Sequence, residues 1–233
     1  MAAIWMALAA ESLAWRETVE THYRQARSAW TNAPTEVTNV WRFAQASFDW
    51  ADLATNSTHR AAIATEAIHA CQSALKHSPE SVPVLYYLGL NLGELAQTRG
   101  LSALKLVREM ETRWTAARAL DPGFDHAGPD RCLGLLYLDA PGWPVSLGNP
   151  TKARTHLEAA VERDGEFPEN LLCLAEAELR WKHAGASRRL LERVDRIWDA
   201  ARNRWGAGEF EASWSDWERR RTKLRNSLPS TAH

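Results

Sequence analysis

The sequence predicts an all-α fold in which helical hairpins stack into a solenoid. Two observations predict it. Apolar and small side chains recur at spacings of three and four residues, which places them on one face of a helix. The segments with this pattern end at Pro79, Pro122, Gly165 and Gly206, and these stops lie 43, 43 and 41 residues apart. Such a fixed period is typical of repeat proteins built from one supersecondary unit.

The second helix of each hairpin has the more regular pattern. A small or apolar residue is followed four positions later by a second apolar residue. Alanine comes three positions after that, and the Pro or Gly that ends the helix comes five positions after the alanine. A weaker copy, at Val19, Tyr23, Ala26 and Thr31, precedes the four complete sets. These sets are Ala67, Cys71, Ala74 and Pro79; Met110, Trp114, Ala117 and Pro122; Ala153, Leu157, Ala160 and Gly165; and Val194, Trp198, Ala201 and Gly206.

The first helix of each hairpin lies upstream of these sets. It is marked by a bulky residue, then an apolar residue beside a compact one, then another bulky group. The compact member lets the partner helix approach closely, while the larger side chains fill the space beside it. The sets are Trp41, Ala44, Gln45 and Phe48; Leu85, Leu88, Gly89 and Leu92; Leu133, Gly134 and Tyr137; and Leu171, Leu174 and Ala175.

These patterns define a single domain over residues 1–233. Its boundaries are an N-terminal helix at 1–31, hairpins at about 35–79, 82–122, 127–165 and 168–206, and a capping helix at 209–227. Terminal elements of a repeat array need a polar outer face and an apolar inner one. We therefore expect Trp214 and Trp217 of the capping helix to cover the last hairpin.

Composition and motifs argue against several functional classes. The 28 Lys and Arg residues nearly balance the 29 Asp and Glu residues, so no net field attracts the chain to nucleic acid. No phosphate-binding loop, zinc-protease or hydrolase motif occurs, so we expect no enzymatic activity, no cofactor and no metal site. Asp125 and His126, with Asp130 nearby, come closest to a catalytic cluster. We interpret them as a polar turn that opens a helix and caps its free amides.

The alternation of these two kinds of helix, one with a Leu-Gly pair, resembles the tetratricopeptide repeat family over residues 19–206. The period is longer than the roughly 34 residues typical of that family. The resemblance implies a right-handed solenoid whose first helices line a concave face. Gln45, Asn91, Arg131 and Glu178 are therefore candidate binding residues in a groove. Glu178 replaces a residue that is bulky and apolar in the other hairpins.

A narrower resemblance covers residues 126–177. It is carried by the motifs GPDRCLGLLY at 128–137, APGWP at 140–144, GNP at 148–150, KARTHL at 152–157 and PEN at 168–170. These motifs are similar to those of the T component of tripartite (TRAP) transporters. That family implies a periplasmic protein, often lipid-anchored, which oligomerises and docks to a solute-binding partner. Tyr137 lies within this stretch and is a further candidate binding residue.

The loop over residues 139–150 differs from the other connections because it holds three prolines and two glycines. Pro141 and Pro144 forbid a helix, and Gly142 permits unusual backbone angles, so we expect an ordered, extended excursion. Trp143 lies at its middle. It is interpreted either as a plug that fills the core of the solenoid or as an anchor presented to a ligand or partner.

Together these features predict a noncatalytic binding protein. The TRAP resemblance makes it an exported accessory subunit, with a periplasmic solute-binding protein as its partner and a homo-oligomeric state. Two alternatives remain open, namely a cytoplasmic scaffold for protein–protein interactions and a carrier that encloses an apolar small molecule among its tryptophan-rich helices. The apolar residues 1–10 are interpreted as the start of the first helix, with a trimmed export signal as the alternative.

Overall fold

The structure is a computed structural model that describes residues 2–142, 145–206 and 210–229. These residues form ten α-helices and one 3₁₀ helix, and no strand occurs among them. Within the same ranges, no helix is both long enough and apolar enough to cross a membrane. The helices belong to two compact units, Met1–Asp121 and Pro122–His233.

The first unit contains two helical hairpins and one preceding helix. Its elements are α1 (Ala2–Asn32), α2 (Val37–Asp52), α3 (Ser57–Ala74), α4 (Val82–Gln97), the 3₁₀ helix η1 (Gly100–Ala103) and α5 (Leu104–Leu120). Helix α2 pairs with α3, α4 pairs with α5, and α1 packs on α2. The start of α3 is set by Asn56, whose side chain accepts a hydrogen bond from the amide of His59 at 2.9 Å. Asparagine is among the preferred residues at this position because it satisfies a free helix amide.

The second unit repeats the arrangement and adds a terminal helix. Its elements are α6 (Phe124–Asp139), α7 (Pro150–Arg163), α8 (Pro168–Arg180), α9 (Ala184–Trp205) and α10 (Glu211–Ser227). Helix α6 pairs with α7, α8 pairs with α9, and α10 packs on both α8 and α9. Proline opens α7 and α8, where its missing amide hydrogen costs nothing and its fixed φ suits the first turn.

The compact residues of the first helices permit close approach, as the sequence predicts. A Cβ atom on Gly89 would lie 2.3 Å from Nε1 of Trp114, and one on Gly134 would lie 2.6 Å from Cγ of Leu157. No real side chain tolerates such distances, so glycine is required for both helix pairs at their present spacing. The predicted register of these two hairpins is therefore confirmed.

Helix α2 departs from its predicted register. Ala44 is buried as expected, but Trp41 and Phe48 are only half-buried, and the structure encloses Phe43 and Ser47 in their place. The reason is that α2 contacts α1, α3 and α4 together. Its buried side is set by three neighbours, whereas the sequence pattern considers only the hairpin partner.

Helix α10 closes the second unit in the predicted manner. Trp214 and Trp217 are buried against the last hairpin. The Nε1 of Trp217 donates to Glu169 Oε2 at 2.8 Å, and Nη1 of Arg220 lies 2.9 Å from Glu169 Oε1. Although burial opposes ionisation, the guanidinium groups of Arg220 and Arg131 hold the pKa of Glu169 below its usual range. The cap is therefore fixed by both aromatic packing and a paired carboxylate.

Candidate binding face and the predicted site residues

One side of α2 is left half-buried by the helices around it. Trp41, Gln45 and Phe48 lie on that side because they are spaced four and three residues apart, and the exposed Arg42 adjoins them. The Trp41 ring stacks on Tyr87 of α4, with ring centroids 6.1 Å apart and planes 12° apart. The guanidinium of Arg42 lies 5.5 Å from the centre of the Trp41 ring. We call Trp41, Arg42, Gln45 and Phe48 the Trp41 face.

The chemistry of the Trp41 face suits recognition of another protein. Two partly exposed aromatic rings provide apolar area, and the exposed Arg42 provides a positive charge. Aromatic residues and arginine are enriched in protein–protein interfaces and among the residues that contribute most to affinity. Tyr87 is buried behind the Trp41 ring, so the ring is held in place before any partner arrives.

Asn91, a predicted groove residue, is enclosed inside the first unit. Its Nδ2 donates to the carbonyl oxygen of Ala44 on α2 at 2.8 Å and to that of Tyr87 on its own helix at 2.9 Å. The bond to Ala44 fastens α4 to α2 from within, whereas the bond to Tyr87 lies inside α4. The residue is buried because α4 packs against α2, α3 and α5 at once, which leaves little of the helix exposed.

Arg131, a second predicted groove residue, is 7% exposed and supports a backbone turn. Asp125, His126 and Ala127 have φ angles of 49°, 53° and 63°, a left-handed conformation that costs roughly 1–2 kcal/mol per residue. The Arg131 guanidinium donates to His126 O at 3.1 Å and to Asp125 Oδ2 at 2.8 Å. It also donates to Asn170 Oδ1 at 2.9 Å. Arg131 thus holds a strained turn against α8.

The polar residues of this turn find separate partners. His126 Nδ1 lies 2.7 Å from Asp164 Oδ2, so its side chain pairs with a carboxylate and does not cap helix amides. Asp130 is buried, and its Oδ1 lies 2.7 Å from Nδ1 of His156. Among the described residues, no group of three or more His, Cys, Asp or Glu side chains could hold a metal ion. The sequence cluster is therefore divided among two His–Asp pairs and the ion pair of Asp125 with Arg131.

Tyr137 lies at the base of the 139–150 loop. Its ring is buried, stacks against His156 at a centroid distance of 5.6 Å, and lies 4.8 Å from the Lys152 ammonium. Its carbonyl oxygen accepts a hydrogen bond from the amide of Asn149 at 2.9 Å. Tyr137, at the end of α6, therefore holds the far end of the loop through Asn149 and packs against α7 through His156 and Lys152.

The loop itself is ordered where the structure describes it. The amide of Gly148 donates to Pro141 O at 2.9 Å, which closes the excursion. Val145, near the tip, is 52% exposed. Trp143 and Pro144 lie outside the described residues, and the role of Trp143 stays a prediction.

Glu178, the last predicted groove residue, is a buried and paired carboxylate. Its Oε1 lies 2.6 Å from Nη1 of Arg154 on α7, and its Oε2 lies 2.8 Å from Nδ1 of His183. The Arg154 guanidinium in turn lies 4.6 Å from the ring centre of Trp181. A charge that replaces an apolar residue inside the fold is tolerated because it is paired on both oxygens.

Sequence reasoning missed a second carboxylate of this kind, Glu94 on α4. It is buried, and its Oε2 lies 2.6 Å from Nη1 of Arg60 on α3. Burial raises its pKa to about 7, although the charge of Arg60 acts in the opposite direction. The available signal was a single glutamate inside the apolar run VPVLYYLGLNLGELAQ, because glutamate is almost never buried unless it is paired.

Comparison with known proteins bears on the fold. No protein-family model matches the chain, and neither does any curated protein sequence. Among solved structures, the chain is similar to a thermophilic TPR protein from Thermus thermophilus, with a TM-score of 0.65 at 14% sequence identity, over 93% of this chain and 94% of that chain. At this identity the likeness concerns the fold alone. It confirms the all-α helical-repeat fold and the tetratricopeptide-like character that the sequence predicts.

Proposed function

We propose that this chain is a noncatalytic scaffold that binds a partner protein through the Trp41 face. The observation that carries the proposal is the half-buried stripe of Trp41 and Phe48 with Arg42 beside it, on a helix braced by three others. A TPR-like array of hairpins supports it, because stacked helices hold exposed side chains on a rigid surface. A partner would bury the two rings and place a carboxylate or carbonyl oxygen against Arg42.

Alanine substitution on the Trp41 face tests this proposal. The full-length chain, immobilised as bait, captures its partner from a lysate of the source organism, and the partner is then purified for affinity measurement. Trp41→Ala should weaken binding by about thirtyfold or more, the loss expected for a residue at the centre of an interface. Arg108→Ala is the matched control because Arg108 is exposed on α5 of the same unit. Unchanged affinity in a folded Trp41→Ala protein would exclude this face as the binding site.

The partner, we propose further, is the periplasmic solute-binding protein of a TRAP-type transporter. The support is the series of motifs over residues 126–177, which resembles the T component of these transporters. Adjacent genes for a solute-binding protein and two permease subunits are expected; co-purification with that solute-binding protein and cell fractionation would test partner and compartment. A cytoplasmic partner would favour the intracellular scaffold, and a copurifying lipid or metabolite in native mass spectrometry would favour the small-molecule carrier.

Trp143 is proposed as a second contact with the partner. The support is the exposure of Val145, two residues later in a loop whose base is closed by the hydrogen bond from the Gly148 amide to Pro141 O. Trp143→Ala should reduce partner affinity and leave the melting temperature nearly unchanged. Truncation of a buried tryptophan typically costs about 3–5 kcal/mol of stability, so a large fall in melting temperature would assign Trp143 to the core.

A further inference from the structure

The Trp41 face and the exposed Asp49 beside it carry two pairs of side chains with the same spacing. Arg42 and Asp49 are seven residues apart, and so are Trp41 and Phe48. Seven residues make nearly two helical turns and a rise of about 10.5 Å, so the members of each pair lie along one line of α2. Arg42 and Asp49 are exposed, whereas the two rings are half-buried.

The two pairs lie on opposite flanks of Gln45. At about 100° per residue, Arg42 and Asp49 lie roughly 40–60° to one side of Gln45, and Trp41 and Phe48 lie equally far to the other side. The midpoint of each pair falls within one residue of Gln45 along the helix. The exposed side of α2 therefore has a charged flank and an aromatic flank, both centred near the same point.

A two-fold axis at the level of Gln45 makes this surface complementary to itself. When a second copy of α2 is laid antiparallel on the face, Arg42 of each copy meets Asp49 of the other, and Trp41 of each meets Phe48 of the other. Each meeting is offset by one residue, about 1.5 Å along the helix. A parallel arrangement would place the charged flank of one copy against the aromatic flank of the other. The pattern therefore fits an antiparallel two-fold interface, in which residue i contacts residue j and j contacts i.

We propose that, in the absence of its partner, the chain forms a homodimer through the Trp41 face, with the two copies of α2 antiparallel. This inference rests on the proposed function in assigning protein binding to that face. It adds a form of regulation, because the second copy covers the surface that the partner needs. The carboxylate placed against Arg42 is then that of Asp49 in the second copy. The formal net charge of -1 on each copy gives little long-range repulsion against association.

The two flanks make different contributions to this dimer. The Trp41 ring is already stacked on Tyr87, with ring centroids 6.1 Å apart, so it loses little freedom when another ring packs against it. Ion pairs across an interface contribute more to orientation and specificity than to affinity. The charged flank therefore offers the sharper test, because reversing its charges changes which copies fit together.

Sedimentation velocity of the full-length chain, from micromolar to submillimolar concentration, should show a reversible monomer–dimer equilibrium. Arg42→Asp and Asp49→Arg each make the attractive pairs repulsive, and each should weaken the dimer by about tenfold or more. Arg108→Asp, an exposed charge reversal on α5, is the matched control and should leave dimerisation unchanged. A wild-type chain that stays monomeric, or single reversals that associate as wild type does, would overturn the proposal.

A mixture of the two variants tests the antiparallel pairing. The Arg42→Asp chain carries an acid at both positions and the Asp49→Arg chain carries a base at both, so each repels itself and attracts the other. Equimolar mixing should therefore restore dimers that contain one copy of each variant. The double variant Arg42→Asp/Asp49→Arg should likewise recover the dimer within one chain. If neither the mixture nor the double variant recovers association, the antiparallel pairing is overturned.

This inference and the proposed function fail separately. If wild type is monomeric but Trp41→Ala no longer binds the purified partner, self-association is wrong and the proposed function stands. If the mixed variants form the dimer but the partner binds Trp41→Ala with wild-type affinity, the proposed function is wrong and self-association stands.

Discussion

Replacement of Gly89 by alanine tests the close helix approach on which the second hairpin depends. The added Cβ would lie 2.3, 2.6 and 2.9 Å from Nε1, Cε2 and Cδ1 of Trp114. The indole ring has little room to retreat, because it is 4% exposed and its Nε1 donates to the carbonyl oxygen of Tyr86 at 3.1 Å. The helices must therefore separate or the ring must leave its hydrogen bond.

The expected magnitude follows from three opposing effects. Alanine is favoured over glycine inside a helix by roughly 0.5–1 kcal/mol. Overpacking of a close-packed site costs about 1–3 kcal/mol, and loss of the indole hydrogen bond costs about 1 kcal/mol more. We therefore expect Gly89→Ala to lower the unfolding free energy of the first unit by about 1–3 kcal/mol.

Urea unfolding of the full-length chain, followed by circular dichroism, measures this change. Gly93→Ala on the same helix is the matched control, because its Cβ would meet only the flexible Cε of Met110, at 3.3 Å. It should be neutral or stabilise by up to about 1 kcal/mol. Wild-type stability in Gly89→Ala, or a larger loss in Gly93→Ala than in Gly89→Ala, would refute the packing argument.

Three further predictions concern burial and charge. Arg131→Met should destabilise the second unit by about 3–5 kcal/mol in thermal melts, because it leaves the left-handed turn and the Asp125 carboxylate without their cation. The control Arg180→Met removes an exposed ion pair with Asp139 and should cost less than about 1 kcal/mol. Ala117→Leu should overpack a fully buried site and cost about 1–3 kcal/mol, and an unchanged melting temperature would contradict the register. The folded pKa of Glu94, about 7, exceeds its ordinary value of 4.5, so its stabilisation is complete below 4.5 and is lost as pH rises through 7. Unfolding of the first unit should therefore cost roughly 2–3 kcal/mol more at pH 5 than at pH 8, and Glu94→Gln should remove that contribution.

The sequence by itself determined the helices and most of the pairing within hairpins. Spacings of three and four residues are a local property of the helix, so they identify the inner side of a helix before its partner is known. Gly134 and Leu157 illustrate this, since one is compact where the other is large, and the structure brings them together. Helix ends were equally local, because proline, glycine and Asn56 act on the backbone beside them.

Tertiary structure alone decided which polar side chains were enclosed. Periodicity locates a residue around one helix axis, but burial depends on how many other helices surround that axis. The sequence predicted Asn91 and Glu178 as groove residues, but neighbouring helices bury both. It predicted Trp41 as a packing residue, but Trp41 is only half-buried. The left-handed turn held by Arg131 required Asn170, which is 39 residues distant in the chain. No regular spacing in the sequence predicts such contacts between distant segments, because they form only when several helices are packed together.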